Sequence, residues 1–215
     1  MNQLTKRILM CVLGVTICGV SVGMFKHAAL GVDPFQSLMS GLDALIPLRF
    51  GRLYVIANLL LLGFALLFDR RKIGLGTFIN LFLLGYIAEF SQNVCARLLP
   101  GPGLAGRFLL LFAALVILSL SSALYFTADL GVSTYDAIAL VWSERQKRLP
   151  FQTCRVITDC VCVALGVSLC LLAGMGWHQV LGVVNIGTIV TAFFMGPLIA
   201  FFNRRVARPL LSLPR

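Results

Sequence analysis

Apolar residues in this chain fall into long unbroken runs, and charged residues gather between them. Five runs carry no charge: Ile8 to Phe25, Leu53 to Phe68, Ile73 to Ala88, Phe108 to Ala128 and Val180 to Phe202. A sixth, Val156 to Trp177, carries one acid, Asp159. A helix crossing a bilayer needs ~20 mainly apolar residues. The second and third runs are shorter and need their flanks, where Arg and Lys side chains can snorkel to the interface. The pattern predicts an all-α polytopic membrane protein with about six transmembrane helices and a single membrane domain over residues 1–215.

Composition supports this. The chain is 59% hydrophobic and 12% charged, where soluble domains carry ~25% charged residues. So few charges cannot cover a soluble fold of this size, and the excess apolar surface must face lipid. The net charge of +10 would suit nucleic acid, but the basic residues sit at helix ends, so no nucleic-acid partner is expected.

The positions of the basic residues also give an orientation. With a cytoplasmic N-terminus and six spans, the inside segments hold Lys6, Arg7, Arg70, Arg71, Lys72, Arg145, Lys147, Arg148, Arg155, Arg204, Arg205, Arg208 and Arg215. The outside segments hold only Lys26, Arg49, Arg52, Arg97 and Arg107. The positive-inside rule favours this arrangement, with both termini cytoplasmic. The first run is not expected to be a cleaved signal, because Ala28-Ala29 follows Lys26 and His27 rather than completing an A-x-A site. The seven cysteines fall mostly in apolar runs, show no C-x-x-C, and read as small packing residues.

The chain also reads as two related halves. SVGMFKHAALGVDPF at 21–35 aligns with SSALYFTADLGVSTY at 121–135. Ser21/Ser121, Ala28/Ala128, Leu30/Leu130, Gly31/Gly131 and Val32/Val132 are identical. Further on, Val55-Ile56-Ala57-Asn58 aligns with Val156-Ile157-Thr158-Asp159, Gly76-Thr77 with Gly187-Thr188, and Gly85 with Gly196. Residues 6–98 form the first expected three-helix repeat and 107–206 the second. Three spans are an odd number, so the second half enters the membrane from the opposite side and the repeats are inverted.

After each first span comes a capped helix start. Asp33 is the expected N-cap of one, followed by Pro34 and, as capping-box partner, Gln36. Ser133 is the expected N-cap of the other, with Asp136 three residues on. Gly31 and Gly131 allow the sharp turn before them. The short helices that follow are either interfacial or re-entrant. If re-entrant, they must line a protein cavity, and their two N-termini would suit an anionic or carbonyl-bearing ligand.

Within the spans, Asp159 is the leading functional candidate, with Arg155 one turn earlier on the same face. Its repeat partner is Asn58. Glu89, with Gln92 and Asn93, marks a water boundary, and Asn80 and Asn185 join helices or line a cavity. The glycines at 74, 76, 85, 182, 187 and 196 fit close helix packing. Two distant histidines make no metal site, and no phosphate loop, H-E-x-x-H or nucleophile elbow is present. Neither an enzyme nor a cofactor is expected.

The paired LGVDPFQ and LGVSTYD segments, the Arg155-to-Asp159 stretch, the two Gly-Thr steps and Gly196-Pro197 resemble the YczE/YyaS/YitT-type family of bacterial membrane proteins over nearly the whole chain. Two positions depart from that pattern. Gln36 stands where the family tends to carry Asp, and Thr134 where it commonly has Pro. The resemblance implies a bacterial membrane location and this architecture rather than a substrate.

The leading expectation is a small-molecule transporter of the bacterial cytoplasmic (inner) membrane, with its site between the repeats. Asp33, Gln36, Asn58, Ser133, Tyr135, Asp136 and Asp159 are the candidate substrate-binding residues. The alternative is a membrane scaffold or regulator that binds a partner protein. Expected partners are the lipid bilayer and a small-molecule substrate. A homodimer also fits, because so short a chain encloses little cavity.

Overall fold

In a bilayer every backbone N–H and C=O must be bonded internally, so uncharged runs of this length become helices. The computed structural model describes residues 2–68, 73–146 and 151–211. Arg70, Arg71, Lys72, Lys147, Arg148 and Arg215, which carry part of the expected inside charge, lie outside the described residues. All regular structure among the described residues is helical: α1 (Gln3–Ala28), α2 (Pro34–Leu45), α3 (Phe50–Phe68), α4 (Leu75–Leu98), α5 (Leu104–Ala128), α6 (Thr134–Gln146), α7 (Phe151–Leu172), α8 (Trp177–Val183) and α9 (Ile186–Phe202). A π-helical turn, Asn203–Ala207, and a last helical turn, Arg208–Leu210, close the chain.

Among the described residues, five stretches are long and apolar enough to cross a membrane: Gln3–Ala28, Phe50–Phe68, Leu104–Ala128, Thr153–Leu172 and Trp177–Leu210. The remaining expected span lies within α4, a 24-residue helix whose second half is more polar, with Glu89, Gln92, Asn93 and Arg97. The chain is an all-helical membrane protein.

Helices α1 and α5 form the centre and run antiparallel. Arg7, near the start of α1, reaches Asp129, just past the end of α5, at 3.5 Å. Arg107, near the start of α5, donates to the carbonyls of Ala28 and Ala29 at the end of α1. Around this pair, α4 packs on α1 and α9 on α5; α2 packs on α7, and α3 on α4 and α6.

The turns after α1 and α5 are built alike. Ala29 and Asp129 take left-handed conformations at φ 49° and 52°, and Gly31 and Gly131 follow at φ 103° and 105°. Asp tolerates that region better than most residues, and glycine occupies it freely. Each turn then docks on the start of a distant helix. The Gly76 N–H donates to Leu130 O at 2.7 Å, and the Thr77 hydroxyl to Val132 O at 2.6 Å. The Gly187 N–H donates to Leu30 O at 2.7 Å, and the Thr188 hydroxyl to Val32 O at 2.7 Å.

The second docking corrects the reading of the last apolar run. Val180 to Phe202 is not one helix, because it breaks at Val184 and Asn185. There the Gly31 and Val32 N–H groups take the carbonyls of Gly182 and Val183. The Asn185 side chain then caps the Ile186 N–H at 2.8 Å and starts α9 afresh. Likewise the run from Val156 ends at Leu172, with Gly174 at φ 76°, and Trp177 opens α8 instead.

Gly196 is a second correction. A Cβ on Gly85 would lie 2.6 Å from the Tyr54 Cβ, so α4 and α3 touch closely there. A Cβ on Gly196 would meet nothing within 4 Å. Gly196 faces open space, because α9 does not approach α7 as α4 approaches α3. Gly182 is also loosely placed, its nearest neighbour being 3.7 Å from such a Cβ.

Candidate functional site

The N-terminal ends of α2 and α6 meet at a cavity of about 560 Å³ between the helices. At α2 the Asp33 carboxylate accepts from the Gln36 N–H at 3.2 Å, as an N-cap should. Pro34 follows at the first helical position, where its missing N–H costs nothing. At α6 the Ser133 hydroxyl accepts from the Asp136 N–H at 3.1 Å. The return half of neither capping box forms as expected. Gln36 lines the cavity but is buried, with its Oε1 unpartnered. Asp136 is bonded to the Ser133 hydroxyl and to Arg155 instead.

All seven residues singled out from the sequence line this one cavity: Asp33, Gln36, Asn58, Ser133, Tyr135, Asp136 and Asp159. They come from α2, α3, α6, α7 and the turns into α2 and α6. The fold unites them because α2 packs on α7 while α3 packs on α6.

Arg155 organises the charged side. Its guanidinium pairs with Asp136 and with Asp159, the latter at 3.2 Å, and lies 4.5 Å over the Tyr135 ring. The Tyr135 hydroxyl donates to Asp159. The expected i,i+4 pair is therefore present but is half of a bridge to a second helix. One guanidinium holds two partly buried carboxylates, and removing it would leave both without their cation.

The opposite side is aromatic and amide-rich. Phe35 stacks on Tyr135 at 4.9 Å with 21° between the ring planes, and Tyr54 meets Phe35 edge-on at 6.0 Å. The Tyr54 hydroxyl donates to Asn80 at 3.3 Å. Asn58 is almost fully committed. Its amide donates to Tyr54 O at 2.8 Å, and its Oδ1 accepts from Thr134. Asn58 therefore ties α3 to α6 more than it presents polar atoms to the cavity. Tyr125 also lines the cavity, with its buried hydroxyl unpartnered.

Glu89 does more than mark a boundary. It accepts from the Gly51 N–H at 3.2 Å and caps the start of α3. His27 is used locally, 2.9 Å from the Leu99 carbonyl. Among the described residues no group of His, Cys, Asp or Glu is arranged to hold a metal.

Sequence reasoning missed three things here. Thr134, where the family commonly has Pro, is a hydroxyl donor to Asn58. Arg155 serves Asp136 as well as Asp159. Arg7 and Arg107, exactly the repeat offset apart, each serve the far end of the other central helix; the offset alone could have exposed that pair.

The family of unknown function DUF6198 matches residues 5–204. The chain belongs to the DUF6198 family. The chain is 24% identical over 204 residues to an uncharacterised protein of Haemophilus influenzae, covering 94% of this chain and 86% of that one. It is also 24% identical over 203 residues to the uncharacterised protein YyaS of Bacillus subtilis, covering 94% and 95%. The resemblance to the YyaS-type proteins is thus borne out. No solved structure matches the DUF6198 chain.

Proposed function

We propose that this DUF6198 protein is a small-molecule transporter of the bacterial inner membrane, with its site in the cavity where α2 and α6 begin. The observation that carries this is the lining of one cavity inside an apolar bundle by seven polar residues from both halves of the chain. Transported solutes bind near the midplane between repeats, at helix ends that break inside the membrane.

Two inverted halves, 6–98 and 107–206, underlie the reading. Matching Gly31/Gly131 turns, matching Thr77 and Thr188 bonds, and the reciprocal Arg7 and Arg107 contacts support them. Stacking of Phe35 on Tyr135, two residues at equivalent positions, fits a pseudo-two-fold axis through the cavity. The halves differ in one respect. On the first side α3 packs against α4. On the second, Val156 of α7 and Phe193 of α9 both line the cavity while strongly exposed, so it opens there. In an alternating-access cycle α7 would close on α9 as α3 closes on α4. Both termini would face the cytoplasm.

The test is solute flux into proteoliposomes of purified full-length protein, compared with Asp159→Asn and Asp136→Asn. Uptake lost in both variants, with folding intact, supports the reading. Specific ligand binding without flux for any bound compound would favour the scaffold or regulatory alternative.

A further inference from the structure

The groups on the cavity wall that are ordinarily charged at neutral pH are Asp33, Asp136, Arg155 and Asp159. Three carboxylates against one guanidinium give a formal charge of about −2 at neutral pH. Asp136 and Asp159 share Arg155. Among the described residues no salt bridge joins Asp33 to a cation. One cavity carboxylate is therefore left without a positive partner.

The uncharged groups point the same way. Gln36 lines the cavity and is 3% exposed, and its buried carbonyl oxygen has no donor. A buried acceptor without a donor costs ~1–3 kcal/mol, so the site gains when a ligand N–H reaches it. The unpartnered Tyr125 hydroxyl can accept from the same kind of group. Phe35, Tyr54 and Tyr135 line the same cavity, and aromatic rings attract cations. The wall already holds one cation this way, Arg155 over Tyr135 between two carboxylates.

An anion, the ligand that two free helix N-termini would suit, is disfavoured. Asp33 and Ser133 already occupy the Gln36 and Asp136 N–H groups. A further negative charge would face three carboxylates in a poorly solvated space. Part of the wall is aliphatic, with Val15, Val22, Leu84, Leu118 and Met195. The volume of about 560 Å³ is in the usual range for a drug-sized ligand.

We propose that the cavity binds an organic monocation, a protonated amine on an apolar body, with its ammonium toward Asp33 and Gln36. This ligand class deepens the transporter reading and rests on it for the site. The experiment uses the purified full chain in detergent and four matched probes: phenylbutylamine, its N-trimethyl derivative, phenylbutanol and phenylbutanoate. Binding is read by calorimetry and by thermal stabilisation. The amine should bind at least tenfold more tightly than the alcohol, with no detectable binding of the carboxylate. Asp33→Asn keeps an equally good helix cap and should weaken the amine at least tenfold. Gln36→Met should weaken the amine several-fold but leave the trimethyl probe, which has no N–H, unchanged. Tighter binding of phenylbutanoate, or amine affinity untouched by Asp33→Asn in folded protein, overturns the proposal. Amine binding with no uptake into proteoliposomes upholds this ligand class and overturns transport. Uptake of an anion or neutral solute with no amine binding upholds transport and overturns this.

Discussion

Gly85 and Gly196 each lie eight residues past the Thr of a Gly-Thr step, on α4 and α9, but have opposite surroundings, so the same substitution should act with opposite sign. Gly→Ala in a helix interior gains ~1 kcal/mol of helix propensity. At Gly85 the new methyl would sit 2.6 Å from the Tyr54 Cβ, with ring carbons at 2.9 and 3.1 Å. Tyr54 has little freedom to retreat. It is 3% exposed, bonded to Asn80 and pressed edge-on against Phe35. Overpacking of this kind costs ~1–3 kcal/mol. Gly85→Ala should therefore destabilise by up to about 2 kcal/mol net of the propensity gain. At Gly196 nothing lies within 4 Å, so Gly196→Ala should be neutral or stabilising by up to ~1 kcal/mol. The assay is equilibrium unfolding in mixed detergent micelles, followed by circular dichroism. Equal destabilisation by both substitutions would refute the reasoning, since it would mean that α9 is packed as α4 is. Gly196→Leu extends the test to function. It should leave stability near that of the parent yet abolish flux, because α7 could not then close on α9.

Removing Arg155 should be costly and partly repairable. Arg155→Met leaves Asp136 and Asp159 without their cation, a loss of ~2–3 kcal/mol after allowing for their partial exposure, and adding Asp136→Asn should recover part of it in the same unfolding assay. Thr77→Val and Thr188→Val each remove a hydroxyl donor from a turn carbonyl and should cost a similar ~1–2 kcal/mol; a large inequality between them would argue against equivalent turns. Arg107→Ala, which strips two carbonyls at the end of α1 of their donor, should destabilise by ~1–2 kcal/mol. Arg7→Ala, whose partner Asp129 is 84% exposed, should cost less than ~1 kcal/mol by thermal unfolding.

The sequence by itself determined the class of this protein and the residues worth watching. Long uncharged runs leave helices as the only structure that satisfies a backbone in lipid, so the all-helical membrane fold followed from the pattern alone. Local chemistry was equally legible. Asp33-Pro34 and Ser133 start helices because capping depends on residues a few positions apart. Only the tertiary structure decided what those starts face. Val180 to Phe202 looks like one span because hydropathy is blind to the break at Asn185, which is made by backbone bonds from a turn some 150 residues earlier in the chain. Gly85 and Gly196 are the same residue in similar sequence, yet one is clasped by Tyr54 and the other faces open space. That difference lies in how α4 and α9 pack. The charge balance of the cavity was likewise out of reach of sequence order. Asp33, Asp136, Arg155 and Asp159 belong to three separate segments, and only crossed packing of α2 on α7 and of α3 on α6 gathers them around one space.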